Sequence, residues 1–185
     1  MVDERLSVLG IDGSPGPTGK TYAALEATLL ACSQRGTATS IVRLQAVEDY
    51  GDVIGHMGRA DAIVFGAPVY RGSFAWPLKV LLDQTTRDRH DDGPAVLRGK
   101  AVAIVLTSGS AHHFLAVNDL RNVLAGFFAA HVVPPGLAIP ADAFDAIRHL
   151  NECFSKLAQM QGAALVELAG VLRASDTLRT LEPQI

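Results

Sequence analysis

Several things are scarce in this chain of 185 residues, and each shortage removes a class of protein. Cysteine occurs twice, at Cys32 and Cys153, far apart and without C-x-x-C spacing. That excludes a disulfide framework or a paired metal site and leaves two thiols expected to be free and buried. Charge of one sign is lacking: the net charge of −3 gives no footprint for nucleic acid or an anionic membrane. No apolar run reaches membrane-spanning length, because Gly, Pro or a charge interrupts each one. Met1-Val2-Asp3-Glu4-Arg5 lacks a basic stretch leading into an apolar signal segment, so a cytoplasmic location is expected. Repeats, low-complexity tracts and linkers are also missing, and residues 1–185 read as a single domain.

What is present is organised around Leu6–Tyr22, LSVLGIDGSPGPTGKTY. Leu6–Ile11 is a short apolar run that reads as a buried strand, and from about Thr21 the sequence is Ala-rich and helical. Gly13, Gly16 and Gly19 lie between them, with Ser14, Thr18, Lys20 and Thr21. Strand, glycine-rich turn and helix N-terminus make an anion site: orphan N–H groups and the helix dipole attract a phosphate, and glycine lets backbone approach it. The loop is a near miss to a Walker loop, since Gly19-Lys20-Thr21 fits the end of that motif but Ser14 stands at its first position. Ala62–Ala67 and Ala101–Thr107 supply no acidic residue for magnesium. Nor do the glycines give G-x-G-x-x-G.

Further along, Thr21–Arg35 reads as a helix, Thr39–Leu44 as a strand and Asp52–Arg59 as a short helix. Asp61–Pro68 is a third strand, apolar throughout, as in a sheet covered on both faces. A loop at Val69–Ser73 leads into a helix ending at Gln84, with Pro77 in its first turn. Arg87–Arg98, containing Asp91-Asp92, reads as a solvated surface loop. Lys100–Thr107 is a fourth strand followed by Ser108-Gly109-Ser110, and Asn118–Ala130 is helical. His131–Ile139 is a fifth strand interrupted by Pro134-Pro135-Gly136. Asp142–Ala174 reads as a final helix bent near Gly162, and the tail after Ser175 as less ordered. Strands alternating with helices imply an α/β, doubly wound parallel sheet, and five strands suit the flavodoxin-like order 2-1-3-4-5. There the loops after strands 1, 3 and 4 meet at the switch point, where such sheets bind ligands. A mononucleotide is the expected ligand.

Gly13-Ser14-Pro15 followed by Gly66-Ala67-Pro68-Val69-Tyr70-Arg71-Gly72-Ser73 resembles the NAD(P)H-dependent FMN reductases. The helix Phe74–Asp83 with its L-K-x-x-L-D pattern and the stretch Thr107–Val117 extend the likeness over Leu6–Ile139. The nearest branch is the one that works beside alkanesulfonate monooxygenases. The resemblance implies FMN phosphate on Ser14, Thr18, Gly19, Lys20 and Thr21. It puts the isoalloxazine against Pro68, Val69, Tyr70, Arg71, Gly72 and Ser73, with Ser108 and Gly109 on the other edge. It also implies NAD(P)H as hydride donor, a homodimer or homotetramer, and either a flavin-dependent monooxygenase partner or a small acceptor such as a quinone. Gly16 stands where many members carry Arg, which leaves Lys20 as the main positive charge. Ala116–Leu124 reads as one residue shorter than in the flavin-shuttling members, without their inserted residue.

Hydride passes between nicotinamide and flavin, so no catalytic acid or base is assigned. Arg71 is either a contact to the nicotinamide nucleotide or a solvated loop residue, and His112 and His113 either line that side or cap a helix. Of Trp76 and Phe74, one is expected in the core, and Asp61 reads as a turn residue. Two other classes remain open: a P-loop-type phosphotransferase using Gly19-Lys20-Thr21, and a flavodoxin-like electron carrier without catalysis.

Overall fold

A computed structural model describes residues 5–17, 19–87, 93–146 and 148–183. Thr18, Asp91 and Asp92 therefore lie outside the described residues. The elements run β1 (Ser7–Asp12), α1 (Lys20–Ser33), β2 (Ala38–Arg43), α2 (Tyr50–Arg59), β3 (Ala62–Tyr70), β4 (Ser73–Phe74), α3 (Trp76–Gln84) and β5 (Ala101–Ser108). They continue as α4 (Ala116–Arg121), β6 (His131–Val132), β7 (Leu137–Pro140), α5 (Glu152–Arg173) and α6 (Asp176–Arg179).

The sheet order is β2-β1-β3-β5-β6, with β7 also beside β5 and β4 hairpinned onto β3. All the pairings except β3–β4 are parallel. Counting β6 and β7 as the two halves of one strand, split around Pro134-Pro135-Gly136, this is the flavodoxin-like order with an added hairpin. Strand alternation sorts the core into two layers. Ile63 and Phe65 of β3, with Val102, Ile104 and Leu106 of β5, face α2, α3 and α4. Ala62 and Val64, with Ala101, Ala103 and Val105, face α1 and α5. The second layer carries the smaller side chains of the two strands.

Several expectations are corrected. The Val69–Ser73 loop is a two-residue hairpin: Arg71 (φ +53°) and Gly72 (φ +87°) turn the chain between Val69–Phe74 and Tyr70–Ser73 pairs. Positive φ at both central residues is the type I′ geometry that matches strand twist. The last helix starts at Glu152, not Asp142, because the Asn151 side chain caps it by accepting from Phe154 N. The residues before it form one 3₁₀ turn and a Phe144–Leu150 bridge. α5 runs unbroken through Gly162, whose small size serves packing: a Cβ there would lie 2.4 Å from Thr28 O of α1. The tail is not loose, since α6 docks with Leu178 against the core and its carbonyl accepts from His131 Nε2 (2.7 Å). Beyond α4, Asn122–Phe127 is wound as a π-helix. Cys32 is buried as expected, but Cys153 is exposed. Among the described residues no helix is long and apolar enough to cross a membrane.

Candidate functional site

The C-terminal ends of β1, β3 and β5 open onto one cleft of about 320 Å³. Its walls are Ser14, Pro17, Gly19, Lys20 and Thr21 from the first loop, Pro68, Val69 and Tyr70 from β3, and Thr107, Ser108 and Gly109 from β5, with Ala141 beyond β7. Each loop leaves a strand that is clamped on both faces by core, so the three are delivered to one place by the parallel register alone. A contact and a hydroxyl pair fix their spacing. Gly13 N donates to Gly66 O at 2.7 Å, an approach a side chain would block: its Cβ would sit 2.9 Å from Leu78 Cβ. The buried hydroxyls of Thr21 and Thr107 bond at 2.7 Å and tie the start of α1 to the end of β5.

The floor of the cleft is the N-terminus of α1. Gly19 occupies the cap position in extended conformation, makes no side-chain cap, and the first turn holds no acidic residue. A 14-residue helix thus presents its first N–H groups and positive dipole end to the cleft, with no side chain among the described residues capping them. Among the described residues, Lys20 is the one charged residue lining it. Its ammonium reaches across to Ala141 O (3.1 Å) and lies 5.7 Å from the Phe144 ring centre. Ser14 lines the cleft, and its N–H (3.0 Å) and Oγ–H (2.6 Å) both donate to Asp12 Oδ1. Asp12, only 2% exposed, is the buried charged residue beside the site that sequence reasoning missed. The signal was there, as Asp followed two residues later by Ser is the pattern of an Asx turn.

Of the expected contacts, Ser14, Gly19, Lys20, Thr21, Pro68, Val69, Tyr70, Ser108 and Gly109 come together in the cleft. Arg71, Gly72 and Ser73 do not line it; they form the hairpin beside it, with Arg71 and Gly72 exposed at its tip. Ser108 Oγ donates to Ser110 O (2.8 Å), and His113 Nδ1 lies 3.2 Å from Ser110 Oγ, so this loop is internally braced. His112 and His113 are both exposed. Phe74 packs on the core while Trp76 stands in solvent, as do Tyr70, Phe114 and Leu115. Asp61 Oδ2 accepts from Ser7 N (2.7 Å) and Ser7 Oγ (3.0 Å), bracing the far ends of β1 and β3. Near the mouth of the first loop the Tyr22 phenol is pushed up by burial, then by Glu26, with Asp12 adding to it and Arg43 opposing. Neither β3 nor β5 ends in a carboxylate, so the Gly19-Lys20-Thr21 loop has no acid opposite it of the kind a magnesium-dependent phosphotransferase uses.

Comparison with known proteins agrees with this geometry. The family model described as NADPH-dependent FMN reductase matches residues 6–144. The NADH-dependent FMN reductase SfnF of Pseudomonas putida is 33% identical over 132 residues, covering 70% of this chain and 61% of that protein. An NAD(P)H-dependent FAD/FMN reductase of Geobacillus thermodenitrificans is 32% identical over 98 residues, 53% of this chain and 49% of that one. The matches thus span about half to three-fifths of those relatives' own lengths. Among solved structures, the apo form of the NADH:FMN oxidoreductase EmoB superposes with a TM-score of 0.76 at 17% identity, covering 95% of both chains. At that identity it shows the shared fold.

Proposed function

The chain belongs to the NADPH-dependent FMN reductase family, and from that premise we propose that it reduces FMN with NAD(P)H as a single flavodoxin-like domain. The observation that carries the reading is the convergence of the first, third and fifth strand ends on one cleft floored by an uncapped helix N-terminus. Those residues suit a flavin mononucleotide. Unpaired helix N–H groups suit its phosphate, Lys20 is the cation within reach, and the β3 and β5 walls leave backbone for the polar edge of a flat ring. When bound, FMN supplies the hydride acceptor. The protein has to hold it, fix the angle between the two walls and leave one face open to the nicotinamide. The Thr21–Thr107 hydroxyl pair and the Gly13–Gly66 bond hold that angle before any ligand arrives, which lowers the ordering cost of binding. Thr18 completes the phosphate contacts, and Arg71, Gly72 and Ser73 flank the ring from the hairpin.

Reduced flavin then serves a partner monooxygenase or a small acceptor such as a quinone, in the cytoplasm. The exposed Tyr70, Trp76, Phe114 and Leu115 around the site support a homodimer or homotetramer that covers them. The test is an absorption spectrum of the purified protein with FMN, repeated after anaerobic NADPH or NADH. Binding that perturbs the flavin bands, and bleaching on nucleotide addition, is the expected result. A protein that neither binds FMN nor oxidises either nucleotide in its presence refutes the reading.

A further inference from the structure

The phosphate end of the cleft contains a negative charge that an anion site has no evident use for. Asp12 closes β1, opposite Gly66 in the β3 register and Arg43 in the β2 register, and is 2% exposed. Its Oδ1 takes both donors that Ser14 owns, the backbone N–H at 3.0 Å and the hydroxyl at 2.6 Å. Ser14 itself lines the cleft, so the carboxylate lies one hydrogen bond behind the wall. The cation of the site does not offset it at that spot, since Lys20 Nζ is spent on Ala141 O on the far side. Arg43 acts on the same Tyr22 hydroxyl in the opposite sense to Asp12, from a half-buried position and bonded to Gln45 Oε1 at 3.3 Å, while Glu26 adds a second carboxylate there.

We propose that Asp12 is a specificity-determining residue that sets how tightly the flavin phosphate is held: it keeps FMN exchangeable instead of permanently bound. The inference rests on the flavin reading given above. A dianionic phosphate on the α1 N-terminus must either take the Ser14 donors from a carboxylate that already holds them or accept that carboxylate as a like-charged neighbour across a single hydrogen bond. Either way binding weakens, and in a desolvated wall the repulsion is poorly screened. The helix end and Lys20 still attract the phosphate, so the site recognises FMN without trapping it. A flavin lacking the phosphate meets none of this opposition.

Asp12→Asn tests the idea, because Asn retains an Oδ1 acceptor for both Ser14 donors and removes the charge, exchanging Oδ2 for an amide donor. The measurement is the dissociation constant of FMN and of riboflavin for both proteins, by quenching of flavin fluorescence, with circular dichroism to establish the fold. FMN is expected to bind about tenfold more tightly to the variant, with riboflavin changed less than about twofold. FMN should then travel with the variant, and not with the parent, through gel filtration. Unchanged or weaker FMN binding by the folded variant overturns the proposal, as does an equal shift for the two flavins, which would make Asp12 a holder of the loop and nothing more. Should the variant not fold, the parent alone decides: an FMN preference over riboflavin beyond about a hundredfold is incompatible with an opposing carboxylate. Absence of binding by either flavin to either protein removes the flavin reading itself, and the proposal with it.

Discussion

Replacing Gly162 with Ala tests whether the seat of α1 is set by close contact with α5. The substitution has two opposed effects. Ala is favoured over Gly in a helix interior by about 1 kcal/mol. Against this, the new Cβ would lie 2.4 Å from Thr28 O, 3.0 Å from Ala31 Cβ and 3.3 Å from Cys32 Sγ. Overpacking of a tight core costs about 1–3 kcal/mol, and the upper end applies because the closest atom is a backbone carbonyl that cannot swing aside. The net loss is about 2 kcal/mol, which for a chain of this size lowers Tm by about 4–8 °C. Gly170, in the same helix with nothing within 4 Å of its Cβ position, is the control. Gly170→Ala should gain the propensity term alone, raising Tm by about 2–4 °C. Thermal unfolding followed by circular dichroism reads both. A Tm for Gly162→Ala equal to or above that of the parent would refute the argument, because it would mean the two helices separate at no cost. The contact also bears on the proposed site, since the α1 N-terminus is the end proposed to take the phosphate, and FMN affinity should weaken in Gly162→Ala and not in Gly170→Ala.

Other substitutions separate the parts of the cleft. Lys20→Ala removes the lining cation, and FMN affinity should fall about tenfold with riboflavin unaffected; since the Ala141 bond is exposed, Tm should hardly move, and a loss shared by both flavins would argue against a phosphate role. Thr21→Val leaves the Thr107 hydroxyl buried without its 2.7 Å partner and should cost about 1–3 kcal/mol in urea unfolding, with the Thr21→Val/Thr107→Val double variant recovering part of it. Additive losses in that cycle would mean the pair does not act as a unit. Burial pushes the Cys32 thiol from its ordinary value of 9.0 up to about 11. The folded state therefore retains this proton where the unfolded chain loses it, and the stabilisation, full below pH 9, is lost as pH rises toward 11, by about 2–3 kcal/mol. Unfolding at pH 8 and pH 11 in parent and Cys32→Ala checks this, a similar decline in both being the contrary result, while in the native protein at pH 8 a thiol reagent should label Cys153 and spare Cys32.

The parts of the fold that were legible in the sequence are those fixed by burial on both faces. Ala62–Ala67 and Ala101–Leu106 are apolar without a break, and only a central parallel strand gives every position in such a run a partner. The glycine loop was legible because strand, turn and helix start each leave their own residue signature. Illegibility began where a local contact overrode composition. Asp142–Leu150 has helix-forming residues, yet the cap made by Asn151 starts the helix later and leaves the preceding segment to bridge back on itself. Arg71-Gly72 lacks the Asn-Gly or Asp-Gly signature of a type I′ turn, so its hairpin looked like a loop. Gly162 looked like a break because sequence reports what glycine permits along a helix and nothing about the backbone packed against it.

Asp12 failed to register for a different reason. Reading a strand by hydrophobic alternation treats an acidic residue at its end as a boundary, and a boundary residue is assumed to face water. Here it is buried, and its two partners are the very donors that the phosphate reading had assigned to the ligand. The consequence reaches past one residue. A motif match counts donors, but affinity depends on which donors are still unspent once the chain has satisfied its own carboxylates and carbonyls. Among the described residues of this cleft, Ser14 is spent on Asp12 and Lys20 on Ala141, which leaves the first turn of α1 unspent. In the proposed flavin site that turn receives the phosphate, Lys20 adds its charge from beside it and Asp12 opposes from behind the wall, and the Lys20→Ala and Asp12→Asn proteins read the two halves of that balance in opposite directions.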